Sequence, residues 1–308
     1  MGTALPDSRC LSHATKSSAL RAHSIGLPRS IWQSTVRGNA LQLVENGSHA
    51  CSRAHEVLEP VEKEIAEALV QSDVVGADET MARGAGYIHC LVNPMLTWYG
   101  CHAKRGREAM KSFDLLPRVN GILMSDCLGS YLKYGKERSL CNAHLLRDLT
   151  GVLEGGHQWP EQMIDLILKV KDQVEEQKQP LDQSKMNSIY RQFGKVLACG
   201  DREESAKSVP KANALICRLR DKRDEYLRFA TRAGAWFDNN ISENALRMTK
   251  LHVKISGCFR STLGCQMLCR IRGYLSTMRK QSQPLFAALL SVKERAPTVP
   301  PSLLPSHG

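Results

Sequence analysis

The stretch VVGADETMARGAGYIHCLVNPMLTWYGC, residues 74–101, decides the fold class of this chain. It consists of three short apolar runs separated by glycine-rich and Asn-Pro breaks, and runs of this length between turn residues are typical of strands. We therefore predict a meander of three strands at Val74–Ala77, Tyr87–Val92 and Leu96–Cys101.

The neighbouring segments extend the meander into a mixed α/β domain. Apolar residues recur at helical spacing over residues 54–71, before the meander, and around Arg107–Phe113, after it. The apolar run Gly121–Met124 predicts a fourth strand that ends in Ser125-Asp126, and a short strand at Ser139–Cys141 precedes a helix. This order of elements is expected of a ribonuclease H-like mixed sheet that is flanked by helices.

The rest of the chain predicts helices. Between Trp159 and Ala230 nearly every segment has helical spacing, which indicates an all-helical insertion, and three more helices follow near Asn240–Lys254, Leu263–Lys280 and Pro284–Val292. We divide the chain into an irregular, poorly structured segment (1–52), the first part of the ribonuclease H-like domain (53–158), the helical insertion (159–232), the remainder of that domain with basic helices (233–295) and a disordered tail (296–308).

The charge of the chain favours a polyanionic partner. The 308 residues carry a formal charge of +11, and residues 244–295 contain ten Lys or Arg side chains against the single acidic Glu294. A basic surface of this kind suits the phosphate backbone of a nucleic acid. Because the sequence lacks a run of about eighteen apolar residues, we expect no membrane partner.

The eleven cysteines have no regular spacing and form no Cys-x-x-Cys pair. This pattern supports neither a disulfide framework nor a zinc ribbon, so reduced thiols in the cytoplasm are the expected state. Cys258, Cys265 and Cys269 suggest a metal cluster, although small cysteines on an apolar helix face are the commoner meaning of such spacing.

Acidic residues near the strand ends are candidate metal ligands. In a ribonuclease H-like sheet an acid on the first strand and an acid just past the fourth become neighbours, and Asp78 and Asp126 occupy these positions. Such carboxylates, joined by a third from a later helix, hold two metal ions for an in-line displacement at phosphorus. Each acid also has a simpler interpretation, because Asp78 and Asp126 can be turn or cap residues and Glu243 can complete a capping box with Asn240.

Five short motifs lie in order along the chain: Val75-Gly76-Ala77-Asp78-Glu79-Thr80, Lys104-Arg105-Gly106-Arg107-Glu108-Ala109-Met110, Leu140-Cys141-Asn142-Ala143-His144-Leu145-Leu146-Arg147, Phe237-Asp238-Asn239-Asn240 with Glu243, and Lys254-Ile255-Ser256-Gly257-Cys258-Phe259-Arg260-Ser261. Over roughly residues 56–294 the chain thereby resembles insertion-sequence transposases of the family numbered sixty-six.

The resemblance implies an Asp-Asp-Glu transposase active site at Asp78, Asp126 and Glu243, in a ribonuclease H-like fold with a helical insertion between the second Asp and the Glu. It implies two Mg²⁺ or Mn²⁺ ions bound by these three residues. It also implies that the substrate is DNA, both transposon ends and target, and that the chain acts as a homo-oligomer with accessory proteins of the same bacterial mobile element. The implied location is the cytoplasm, at the nucleoid.

Four residues are supporting candidates: Cys141, His144, Asn240 and Arg247. Cys141 and His144 form a Cys-x-x-His pair like that of several such transposases, and as zinc ligands the pair is incomplete because no second pair has finger spacing. His144 is interpreted either as a phosphate or orienting contact beside the site or as a core histidine. Arg247, one turn after Glu243, contacts a phosphate or pairs with Glu243.

Basic side chains in two regions are candidate DNA contacts. Lys104, Arg105 and Arg107 flank a helix start, where they hold backbone phosphate in one interpretation and form a solvated basic turn in the other. The other candidates lie in the basic carboxy-terminal part: Lys250, Lys254, Arg260, Arg270 and Arg272.

The chain departs from the family pattern in three places. Full-length relatives carry an amino-terminal DNA-binding region, whereas residues 1–52 show neither a Cys/His cluster of finger spacing nor a helix pair. The stretch between Thr80 and Trp98 is shorter, and Asn244 stands where the pattern usually has Arg. We therefore expect a transposase that is truncated at its amino terminus. The alternatives are a catalytically inactive remnant that binds DNA non-specifically, and a ribonuclease H-like nuclease without strand transfer.

Overall fold

The structure is a computed structural model that describes residues 49–207 and 209–304, and the chain forms two compact units, Met1–Ala54 and His55–Gly308. The first unit is described from residue 49 onward and is helical there, so most of the segment expected to be irregular lies outside the described residues. None of the described helices combines the length and the apolar character that a membrane span requires.

The second unit contains five strands: β1 (Val74–Ala82), β2 (Gly86–Val92), β3 (Thr97–His102), β4 (Ile122–Ser125) and β5 (Glu137–Leu140). They form one mixed sheet in the order β3-β2-β1-β4-β5. The meander β1 to β3 is antiparallel, whereas β4 and β5 continue the sheet from β1 in parallel pairing. The expected α/β class, a mixed sheet flanked by helices, is thereby confirmed.

The helices of this unit lie before, between and after the strands. In chain order they are α1 (Glu59–Val70), α2 (Arg107–Phe113), α3 (Asn142–Leu153), α4 (Trp159–Gln177), α5 (Gln183–Lys207), α6 (Pro210–Asp221), α7 (Arg223–Tyr226), α8 (Arg228–Thr231), α9 (Asn240–Ser256), α10 (Thr262–Lys280) and α11 (Leu285–Lys293). Helices α4 to α8 follow one another without a strand and correspond to the helical insertion expected from the sequence.

β1 is longer than its apolar run predicts, and the extension places Asp78 inside the strand. Residues 78–82 are mostly polar or small, yet they pair with β2 across a tight hairpin in which Gly84 and Gly86 have positive φ. A Cβ atom at Gly84 would collide with the carbonyl oxygen of Phe259, so the hairpin requires glycine for both conformation and space. β1 thus extends beyond Ala77 because its residues pair with β2, and not because they are apolar.

Buried apolar side chains hold the unit together, and two of their clusters involve the helices that follow the meander. One lies between the sheet and helices α9 and α10, where Leu246, Cys265 and Cys269 pack against residues of β2 and β3. Cys265 and Cys269 are therefore core residues, whereas Cys258 is exposed, in line with the commoner meaning of their spacing. The other core fills the helical segment and continues to β5 and α3.

Residues 296–304, which the composition predicts to be part of a disordered tail, lie against α10 instead. The Tyr274 hydroxyl donates a hydrogen bond to the Thr298 carbonyl at 3.0 Å, and the Ser302 amide donates to Gln281 Oε1 at 2.9 Å. Local composition does not reveal these contacts, because it does not show which side chains a distant helix offers as partners.

Candidate active site

The sheet register brings Asp78 and Asp126 side by side. In the parallel pairing of β1 with β4, Gly76 lies opposite Met124, and two residues further along each chain stand Asp78 and Asp126. Asp78 is inside β1, and Asp126 follows the last residue of β4 directly. Side chains two residues apart on a strand share one face, so Asp78 lies on the face of Gly76, which α9 covers, whereas Asp126 lies just past the end of its strand.

Both aspartates lie in surroundings that disfavour a free carboxylate. Burial raises the pKa of Asp78 to about 7; the charges of Glu79 and Asp126 add to this effect, while the Glu79 amide and Lys250 oppose it. Burial also raises the pKa of Asp126, against a hydrogen bond from the Leu128 amide to Oδ1 at 3.0 Å. A bound divalent cation would compensate the cost of ionising both groups in this cleft.

Glu243 lies in the first turn of α9 and faces α3, where its Oε1 is 3.6 Å from His144 Nδ1. It does not form the capping box that its spacing suggests. In a capping box, the Glu243 carboxylate would accept a hydrogen bond from the backbone N–H of Asn240. That N–H donates instead to Asp238 Oδ1 at 3.0 Å. The charge of His144 lowers the pKa of Asp126, so this imidazole electrostatically links Glu243 to the aspartate pair.

The start of α9 is fastened to β1 by the buried Asn239. Its side-chain amide donates to the Ala77 carbonyl at 2.9 Å, and its Oδ1 accepts from the Ser242 hydroxyl at 2.6 Å. Gly76 makes this approach possible, because a Cβ there would lie 2.8 Å from Asn239 Oδ1 and would collide with Ser242 Oγ. These contacts hold Glu243 in place relative to Asp78.

A second set of bonds ties the same segment to the start of α3. The backbone N–H of Asn239 donates to Cys141 Sγ at 3.3 Å, and the backbone N–H of Asn142 donates to the Phe237 carbonyl at 3.1 Å. The buried Asn142 side chain also donates to the carbonyls of Tyr226 and Phe237. The sequence analysis did not single out Asn142 and Asn239, although both lie in the motifs quoted above. The signal that could have identified them is a polar residue among apolar neighbours.

The other supporting candidates lie at the edge of this arrangement. Cys141 is buried at the end of β5, and His144 is half-exposed in the first turn of α3. Asn240 is exposed and donates its side-chain hydrogen bond to Asp238 Oδ2 at 2.8 Å. Arg247 is exposed too, and among the described residues it forms no ion pair with Glu243.

A buried carboxylate, Glu79, holds Arg105 at the other face of β1. Arg105 Nε donates to Glu79 Oε1 at 2.7 Å, and the buried Tyr131 hydroxyl donates to Glu79 Oε2. The Arg105 side chain remains about half exposed, and its charge lowers the pKa of Asp126. Sequence analysis named Arg105 but missed Glu79 and Tyr131, because their pairing depends on how the segment after β4 folds back over the sheet.

The predicted DNA contacts divide into exposed and internal residues. Arg270 Nε lies 2.5 Å from Glu62 Oε2, with most of its side chain buried against α1, and Arg272 has a buried Nε. The structure therefore holds Arg270 within the fold rather than on a free basic surface. The exposed candidates are Lys104, Arg105, Arg107, Lys250, Lys254 and Arg260.

Helix α9 carries a basic track on the face of Glu243. Arg247, Lys250 and Lys254 follow Glu243 at intervals of four, three and four residues, which places all four on one side of the helix. All three basic side chains are exposed, and Lys250 is close enough to Asp78 to lower its pKa. The track thus leads from the carboxylate cleft along the helix surface.

The family model described as "Transposase IS66 family" matches residues 43–267, well over half of the chain and a span that contains all three acids. No protein of curated function matches the chain.

Proposed function

The chain belongs to the IS66 transposase family, and we propose that it is the catalytic core of a DNA transposase. Its reaction is metal-dependent cleavage of a DNA strand followed by transfer of the 3′ end to a target strand. Asp78, Asp126 and Glu243 are the proposed catalytic residues. The observation that carries the proposal is the β1–β4 register, because it sets the two aspartates side by side.

The proposed fold is ribonuclease H-like. Support comes from the strand order β3-β2-β1-β4-β5, with an antiparallel meander and two parallel additions. The helical insertion α4–α8 lies between the second aspartate and Glu243. After the insertion, hydrogen bonds of Asn239 and Asn142 attach the chain to β1 and to the start of α3.

The acids fit a pair of divalent cations. Asp78 and Asp126 have raised pKa values from burial, and Glu243 Oε1 is shielded from solvent without a hydrogen-bond partner among the described residues. Carboxylate oxygens are the ligands that Mg²⁺ and Mn²⁺ prefer. Asp78, Asp126 and Glu243 would hold such ions, which would supply activation of a water or a 3′-hydroxyl and stabilisation of the leaving oxygen at phosphorus.

Other side chains of the cleft have roles that need no metal. Arg105, oriented by Glu79, offers a half-exposed guanidinium beside Asp126 that suits a phosphate oxygen. His144 orients Glu243 from the adjacent helix. Assembly of a homo-oligomer on DNA, participation of accessory proteins and a location at the nucleoid follow from the proposed activity and belong to the same proposal.

We expect the purified chain to cut labelled duplex DNA in Mg²⁺ or Mn²⁺ and to be inactive in EDTA. Joining of a labelled 3′ end to a second duplex distinguishes a transposase from a nuclease that only cleaves. Glu243→Gln should lose both reactions, whereas Glu175→Gln, at an exposed glutamate of α4, should retain them. Metal-dependent cleavage that survives in Glu243→Gln would remove Glu243 from the proposed triad.

A second candidate, a DNA-binding protein without catalysis, is favoured by the basic track alone. Duplex affinity should fall steeply with salt, because each neutralised phosphate releases counterions. Replacing Arg247, Lys250 and Lys254 by Gln should lower the log–log salt slope by about 2 to 3. The matched control replaces one Arg and two Lys, all exposed, on the helical insertion: Lys169, Arg191 and Lys195. An equal loss in both triple variants would show that net charge, not the track, determines binding.

A further inference from the structure

Cys141, His144 and Glu243 form a compact group of potential metal ligands. One ligand atom from each residue lies within 4.8 Å of the others. The residues come from two elements: Cys141 and His144 from the start of α3, and Glu243 from the first turn of α9. Sequence spacing indicated only an incomplete pair, and the fold adds the third donor from a residue about a hundred positions later.

Two donor atoms of this group have no partner of their own. His144 Nδ1 and Glu243 Oε1 are both shielded from solvent and make no hydrogen bond among the described residues. They lie 3.6 Å apart, whereas an imidazole that simply donates to a carboxylate closes to about 2.8 Å. The nitrogen and the oxygen thus lie close together without a hydrogen bond, and a sulfur lies within 4.8 Å of both.

The third donor, Cys141 Sγ, is buried and lies beside backbone amides. Cys141 is the residue before the first turn of the twelve-residue helix α3, and its Sγ accepts the Asn239 amide at 3.3 Å. The amides of Ala143 and His144 also favour its charged form, although burial is the larger effect and raises the pKa of the thiol. A thiophilic cation overcomes that burial effect, because a coordinated thiol loses its proton.

We propose that Cys141, His144 and Glu243 bind one Zn²⁺ ion through a sulfur, a nitrogen and a carboxylate oxygen. These are the three donor types of protein zinc sites, and three protein ligands leave the fourth position to solvent. Ligand distances of about 2.0–2.3 Å correspond to donor–donor distances of about 3.3–3.6 Å in a tetrahedron. The group therefore contracts by about 1 Å, which rotation of the half-exposed His144 and Glu243 side chains supplies.

This site differs in chemistry from the aspartate pair and does not depend on the proposed activity. Asp78 and Asp126 offer oxygen alone, whereas sulfur and nitrogen select Zn²⁺ over Mg²⁺. A bound Zn²⁺ would join α3 to α9. Because Glu243 is also a member of the proposed triad, occupancy of the zinc site would compete for its carboxylate.

The test is Co²⁺ and Zn²⁺ binding to the metal-stripped full-length chain without DNA. We expect one Co²⁺ per chain with a thiolate-to-cobalt absorption band that Zn²⁺ displaces and that Mg²⁺ alone does not produce. Cys141→Ser should remove the band. Removing a residue that only orients a metal ligand typically lowers metal affinity about 10- to 100-fold. Because His144 and Glu243 are proposed ligands themselves, His144→Ala and Glu243→Gln should weaken Zn²⁺ binding by roughly 100-fold or more. Cys258→Ser, at an exposed cysteine outside the group, should bind like the parent chain.

A thermal melt with and without Zn²⁺ gives an independent readout. Zn²⁺ should raise the Tm of the parent chain and of Cys258→Ser, and leave that of His144→Ala unchanged. If Cys141→Ser fails to fold, the binding and melting data for His144→Ala, at a half-exposed position, are sufficient to test the site. Absence of the thiolate band in the parent chain, or Zn²⁺ binding that persists in His144→Ala, would overturn the site and reduce the group to a His–Glu ion pair. Since no step uses DNA, failure of the transposase reaction leaves this result standing.

Discussion

Asp78→Asn is expected to lose metal-dependent DNA cleavage by roughly 1,000-fold or more, and at the same time to make the metal-free protein more stable at pH 8. The amide removes a charge that metal binding needs. It also removes the cost of holding an ionised carboxylate in a buried position, and its oxygen can still accept the Glu79 amide, which lies 2.8 Å from Asp78 Oδ1. Gain of stability with loss of activity is the signature of a metal ligand.

The pH dependence of this effect follows from the raised pKa. Asp78 titrates at about 7 in the folded chain and at 3.8 as a model group, so between these values the folded state holds a proton that the unfolded state has released. The stability of the metal-free parent therefore falls as pH rises from about 4 to about 7 and then levels off. The advantage of the Asn variant should be small at pH 4, on the order of 1–2 kcal/mol at pH 5 and on the order of 4 kcal/mol at pH 8.

Urea unfolding in EDTA at pH 5 and pH 8 measures this difference. Asp73→Asn is the matched control, because Asp73 is an exposed aspartate just before β1 and should show no such gain. Adding Mg²⁺ at pH 8 should stabilise the parent chain and leave Asp78→Asn unchanged. Equal stability of the parent and Asp78→Asn at both pH values would contradict the buried-carboxylate argument, and retained cleavage would exclude Asp78 from the reaction.

Gly76→Ala is the second change from which we expect a large effect, although it adds a single methyl group. Its Cβ would collide with Ser242 Oγ and lie 2.8 Å from Asn239 Oδ1. Both neighbours are buried and hydrogen-bonded to each other, so they cannot simply rotate away. We expect a loss of about 1–3 kcal/mol in unfolding free energy. If the added methyl group also displaces Glu243 by about 1 Å, DNA cleavage should fall about 100-fold.

Gly129→Ala provides the control, because nothing lies within 4 Å of a Cβ atom at that position. Its unfolding free energy and activity should match those of the parent chain. Adding Ser242→Ala to Gly76→Ala removes the closest contact and should recover part of the lost stability. If Gly76→Ala folds and reacts like the parent, the packing of α9 on β1 does not determine where Glu243 lies.

Short-range patterns located most of the elements. The helix Arg107–Phe113 was predicted with the bounds that it has in the structure, and the predicted strands lie within a few residues of β2, β3, β4 and β5. The exceptions arise where distant pairing overrides local character. β1 continues to Ala82 because β2 pairs with it, and the last part of the stretch with helical spacing, up to Ala230, is divided among the separate helices α6, α7 and α8.

The sequence by itself determined the class of the fold, the approximate positions of its strands and helices, and the assignment of one candidate aspartate to β1 and one to the residue after β4. It could do so because apolar periodicity and turn residues act over a few positions. Only the tertiary structure decided the partners of the polar side chains. Glu243 turns toward Cys141 and His144 instead of its own helix start, Glu79 holds Arg105, and Arg270 is bound by Glu62. Each of these contacts joins residues that are far apart in the chain, and it exists because whole elements pack to bury apolar surface.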